Sequence, residues 1–193
     1  MYMYGFEAHL EICPICKTEG HCHIFGYYRR NLIDYCSGKV KYDKIVITRV
    51  KCKCGHTHAI LPDLIIPYST YSLVFIMRVL GIHLSRTMTV AALCKKFNIS
   101  HSMLYRWRDL YNKHKELWLG ALKSKETAGH TFLSDILALP NCSDFTYGFF
   151  AQARFSFLQS HANPAHTRRR RKLGGDENPR PHETDIAING PPM

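Results

Sequence analysis

Two close pairs of cysteines stand near the start of the chain: Cys13-Pro-Ile-Cys16 and, after 35 intervening residues, Cys52-Lys-Cys54 followed by Gly55 and His56. Paired thiolates suit tetrahedral Zn²⁺, because a tight turn holds two sulfurs at one metal and frees nearby amides to bond them. A hairpin joining the two pairs would close a shell of Cys13, Cys16, Cys52 and Cys54. Four thiolates leave no open position and no His-Glu-x-x-His arrangement occurs, so the metal is expected to be structural rather than catalytic. The one-residue gap between Cys52 and Cys54 is tighter than the usual two, which makes His56 and Cys22 the alternate ligands; His58 and the His21-Cys22-His23 run also lie close in sequence. Cys36, Cys94 and Cys142 read as reduced thiols without a metal.

A second group of residues has the types and spacing to read a nucleic acid. Between Val90 and Trp107, Leu93 and Phe97 give a first helix its inner face, Cys94 is small where a second helix crosses, and Asn98 tolerates the left-handed backbone of a tight turn. Ser100 is a ready N-cap, and Ile99, Leu104 and Trp107 fall where the second helix packs back on the first. This is the register of a helix-turn-helix. The 3.6-residue period leaves Ser100, His101, Ser102, Tyr105, Arg106 and Asp109 on the outer face. Arg106 is the expected base reader, since its fork can bond guanine at two acceptors. Lys95, Lys96, Arg108 and Lys113 are expected on phosphates.

Charge separates this reading from an ordinary helical hairpin. Arg86 to Lys125 holds nine Lys or Arg against two acids, net +7, whereas residues 1–68 hold nine against six, net +3. A duplex carries about one negative charge per 1.7 Å of axis, and cations concentrated on the helical unit would neutralise it.

The elements that must position these residues follow from composition. Residues 1–62 read as a small β zinc ribbon, with strands over Ile24–Leu32 and Lys44–Lys51, a turn at Cys36-Ser-Gly-Lys and a returning strand near His58–Leu61. Residues 63–126 read as a helix-turn-helix domain, whose first helix is capped by Ser69 or Thr70 and runs to about Leu84. Residues 127–159 read as two further helices, the second starting at Ser143-Asp144 and packing Phe145, Phe149, Phe150, Ala153 and Phe157. Residues 160–193, with five consecutive cations from Arg168 to Lys172 and several prolines, read as a disordered tail. The fold class is α+β.

Cys54-Gly-x-Thr-His-Ala-x-Leu-Pro62, together with Cys13-Pro-Ile-Cys16 and the Val90–Trp107 run, resembles the zinc-ribbon and helix-turn-helix region at the front of bacterial insertion-sequence transposases. It is more closely similar to short bacterial proteins of unknown function built from those two parts, over roughly residues 8–160. The contracted Cys52–Cys54 spacing and the basic, proline-rich end depart from that pattern. The resemblance implies DNA binding, a bacterial cytoplasm and association with mobile elements.

A net charge of +11 agrees with a polyanionic partner. The expected activity is sequence-specific binding of double-stranded DNA, as a transposition accessory factor or transcriptional regulator, in the cytoplasm at the nucleoid. The alternative is an adaptor that docks a separately encoded transposase or recombinase. No enzymatic activity, membrane segment or small-molecule substrate is expected: the acids are too scattered for a two-metal core, and Leu64–Met77 is too short and polar to span a bilayer.

Overall fold

The computed structural model describes residues 7–62, 64–138 and 142–160. A long antiparallel hairpin is formed by β1 (Cys22–Cys36) and β2 (Lys39–Cys52). It turns at Ser37 and Gly38, both with positive φ (54° and 79°), the hand that suits a two-residue turn between twisted strands. β3 (Thr57–Ile60) returns antiparallel against Thr48–Lys51, giving the order β1-β2-β3. The strands run further than composition predicts. Ile33, Tyr35 and Val40 near the turn are half-buried against the helical core, so packing rather than propensity extends that end.

Among the described residues six helices come after the sheet: α1 (Leu73–Leu84), α2 (Val90–Phe97), α3 (His101–Leu119), α4 (Ala121–Glu126), α5 (Gly129–Ala138) and α6 (Cys142–Ala153). The architecture is α+β, an antiparallel sheet followed by helices. Ser72, not Ser69 or Thr70, caps α1, accepting the Phe75 N–H at 3.0 Å. The reason lies on β1: Ile33 donates its N–H to the Thr70 carbonyl (2.7 Å) and accepts from the Ser72 N–H (3.0 Å). Residues 70–72 are thereby held extended along the free edge of β1, and the helix can start only beyond them.

α1 lies at the centre of the core, with Leu73, Phe75, Ile76, Met77, Val79 and Leu80 all buried. The same core holds Leu93 and Phe97 of α2, Leu104, Trp107 and Tyr111 of α3, Phe132 and Leu133 of α5, and Phe145 and Phe149 of α6, the last two against α3 and α5. Phe150, expected inside, is 48% exposed, and Phe157 is buried in the turn beyond α6 rather than on it. A second small cluster, Cys13, Cys22, Val50 and Cys52, lies at the other end of the hairpin. Among the described residues no helix is long and apolar enough to cross a membrane. The predicted tail lies, from residue 161 on, outside the described residues.

Candidate metal centre and helix-turn-helix face

The hairpin closes the gap between the two cysteine pairs. Cys13 and Cys16 sit in a turn in which the Lys17 N–H reaches the Cys13 carbonyl (2.9 Å), with Lys17 at φ 61°. Cys52 ends β2, and Cys54 comes next in a turn closed by the Gly55 N–H on the Cys52 carbonyl (2.9 Å), where Gly55 takes φ 86°. That backbone favours glycine, and it lets a Cys-x-Cys pair face one point.

All four sulfurs lie within 4.8 Å of one another. Cys13 Sγ is 3.7 Å from Cys54 Sγ, and Cys16 Sγ is 3.6 Å from Cys52 Sγ. These separations are far longer than a disulfide at about 2.05 Å. They match the roughly 3.8 Å between sulfurs each about 2.3 Å from a central tetrahedral ion. The four cysteines could therefore hold a metal ion.

Electrostatics agrees with a cation there. Thr18, through its side chain and backbone, pulls the Cys16 thiol down to about 6. The His56 amide lowers Cys54, but desolvation and the Cys52, Cys13 and Cys16 sulfurs outweigh it and push that thiol up to about 12. Four thiolates cannot crowd together without a positive ion between them, so metal binding would release protons.

The alternates stand outside the cluster. Cys22 is buried opposite Cys52 in the strand register, and burial pushes its thiol up. His56 contributes its carbonyl to the Cys52 N–H (2.8 Å) and stacks on His58 at 5.7 Å. Both ring nitrogens of His58 are buried without a hydrogen-bond partner among the described residues. His21 and His23 are exposed.

At the other end of the hairpin, α2 and α3 meet in the predicted register. Thr89 caps α2 on Ala92, Asn98 adopts the left-handed conformation (φ 52°, ψ 51°), and Ser100 caps α3 on Met103. Leu93, Cys94, Phe97, Ile99, Leu104 and Trp107 are buried, as the spacing requires. His101, Ser102, Arg106, Asp109 and Lys113 are exposed along one side of α3, as are Lys95 and Lys96 on α2. A shallow groove runs along that side, reaching from Ser102 through Arg106 to Lys113 and Ser160.

Residues 13–107 match the family model of DUF6431, a domain of unknown function. The DUF6431 match begins at the first cysteine of the cluster and ends at Trp107, a buried residue in the first half of α3. It therefore takes in the sheet, the four cysteines, α1, α2 and the start of α3, and leaves α4 to α6 outside. No curated protein and no solved structure matches the chain.

Several side chains around α3 have duties that spacing could not reveal. Ser100 is committed to its cap and to a 3.0 Å contact with Ser102. Tyr105 is held between His83 (6.3 Å, edge-on) and the Arg108 guanidinium (4.8 Å), while Arg108 also bonds Asp109 at 3.1 Å. Lys115 is buried and donates to the Thr127 carbonyl, so its charge belongs to the fold rather than to the surface. Arg30 on β1 is a further cation used internally, donating to the Ile66 and Ser69 carbonyls.

Proposed function

We propose that the chain binds double-stranded DNA through α3, with a structural Zn²⁺ held by Cys13, Cys16, Cys52 and Cys54. The observation that carries the reading is the outer side of α3. His101, Ser102, Arg106 and Lys113 are exposed there while Leu104, Trp107 and Tyr111 are buried behind them. In a helix-turn-helix the second helix enters the major groove with its N-terminal residues against base edges. Arg106 has no internal partner among the described residues and is the base reader; Lys95, Lys96 and Lys113 lie against phosphates. Arg108, bonded to Asp109 and Tyr105, positions its neighbours and contributes less to phosphate binding.

Zinc is favoured over other ions because an all-thiolate tetrahedron suits it, and the role is structural because four protein ligands close the shell. When bound, the ion supplies folding free energy to the end of the hairpin, where the buried cluster is small. The resemblance to transposase front ends extends the reading to a mobile-element accessory factor or a regulator in a bacterial cytoplasm. An adaptor role draws less support: Phe145, Phe149 and Phe157 are buried in the core, which leaves Tyr147 and Phe150 as the exposed rings of α6.

Salt dependence distinguishes the two. Contact with about four phosphates gives a log–log slope near −3.6, so affinity for a duplex falls on the order of a hundredfold between 50 and 200 mM salt. Absence of duplex binding at low salt, or binding indifferent to salt, would contradict the proposal.

A further inference from the structure

The hairpin has an outward face that neither the metal centre nor the reading helix uses. Tyr27 lies opposite Thr48, Arg29 opposite Val46, Asn31 opposite Lys44 and Ile33 opposite Tyr42, and residues directly opposed share a face; toward the turn, Ile33, Tyr35 and Val40 of this face pack on the helical core, so its open part runs from Tyr27 to Tyr42. Tyr27 is 63% exposed and Tyr42 64%; Arg29, Asn31 and Lys44 are exposed between them. The other face is occupied. Ile47 and Leu32 are buried, Arg30 is bonded to the Ile66 and Ser69 carbonyls, and Asp34 accepts the Ser72 hydroxyl at 2.6 Å. Both acids of the two strands, Asp34 and Asp43, pair with Lys41 and Leu32 on that occupied face. The outward strand residues thus combine exposed rings with cations and no carboxylate.

We propose that this face holds an unpaired nucleic-acid strand, its bases stacked on Tyr27 and Tyr42 and its phosphates beside Arg29 and Lys44. Rings alternating with cations along a groove or sheet are what a single strand needs, because every base offers a π-face and every phosphate a charge. The two rings are set six residues apart along the hairpin, roughly 20 Å at 3.3 Å per residue. A duplex hides its bases and would gain little from exposed tyrosines. At one end the face abuts the helix-turn-helix, since the Asn98 amide donates to the Tyr42 hydroxyl at 3.1 Å. The surface therefore continues the one assigned above to α3, and the placement of the strand beside a duplex rests on that reading, although the stacking does not.

The test is the anisotropy of labelled probes with the zinc-loaded full chain: a blunt duplex, the same duplex with an oligothymidylate extension, and the oligothymidylate alone. The extension should tighten binding by about tenfold, the scale of one to two stacked bases. Tyr27→Ala combined with Tyr42→Ala should abolish that gain and leave blunt-duplex affinity within about twofold, while Tyr42→Phe, which keeps the ring and loses the Asn98 bond, should retain it. Equal wild-type affinity for the blunt and extended probes overturns the proposal without any variant, and so does a gain that survives loss of both rings. Tyrosine-dependent binding of the single strand with no binding of the blunt duplex would support this face and sink the reading of α3 instead.

Discussion

Cys16 and Cys54 are shifted in opposite directions although their sulfurs share one cluster, because Thr18 stabilises one thiolate, while desolvation and then the neighbouring sulfurs oppose the other. Only a cation at the centre lets all four ionise together. Under the proposed zinc assignment, plasma emission should find one equivalent of zinc in the wild type and in Cys22→Ser, which lies outside the four-sulfur group, and none in Cys13→Ser or Cys54→Ser. The alternates His56 and Cys22 could not be set aside from sequence, since spacing does not say that Gly55 reverses the chain with a positive φ. His114 makes a separate prediction. Burial, then Lys113, holds its imidazole down to about 4, and its Nδ1 accepts the Leu158 N–H at 2.9 Å. Because the folded value is depressed, the unfolded chain takes up the proton first: stability is intact above about 6.5 and is lost as pH falls toward about 4. Urea midpoints across that window should decline, and His114→Gln should flatten the decline. Part of the slope should remain, since burial lowers His58 and His83 too.

At the scale of elements, legibility depends on the range of the forces involved. The turn between α2 and α3 is readable because its determinants are local: a left-handed Asn98, a Ser100 cap and apolar residues at helical spacing. The length of the hairpin and the Ser72 cap are not, because both depend on Ile33 meeting residues 70–72, which lie far along the chain. The outward sheet face is hidden for another reason: Tyr27 and Tyr42 read simply as strand formers, and only the register shows that they share an exposed side. Asn98 offers the element-scale test. With φ at 52°, Asn98→Val should cost roughly 1–2 kcal/mol in urea unfolding, the steric penalty of a left-handed side-chain-bearing residue, while Asn98→Gly should be nearly neutral. Equal losses would mean that the Tyr42 hydrogen bond, not the backbone, governs that position.

Seen whole, the molecule is a strut with a cluster at each end. One end of the hairpin carries the four sulfurs, and the other is set into the helical core through Tyr35, which lies 5.1 Å from Phe97. The cysteine centre thus orients the sheet, and the sheet reaches the turn that orients α3. Ser160, the last described residue before 161–193, lines the groove on α3 with Ser102 and Arg106. The chain thus leaves the described fold beside that groove, and under the proposed DNA-binding reading the Arg168 to Lys172 cations would add affinity without sequence preference. Deleting residues 161–193 should weaken duplex affinity by a similar factor for every sequence tried; a change in preference would contradict this. The most direct measurement is selection of bound sites from a randomised duplex pool by the zinc-loaded full chain, alongside Arg106→Ala and Lys113→Ala. The wild type should enrich one motif. Arg106→Ala should lose discrimination at one or two base pairs, worth about 1–3 kcal/mol, while Lys113→Ala keeps the motif and binds it more weakly. Failure of the wild type to enrich any motif, or the same outcome for both variants, would contradict a groove-reading α3.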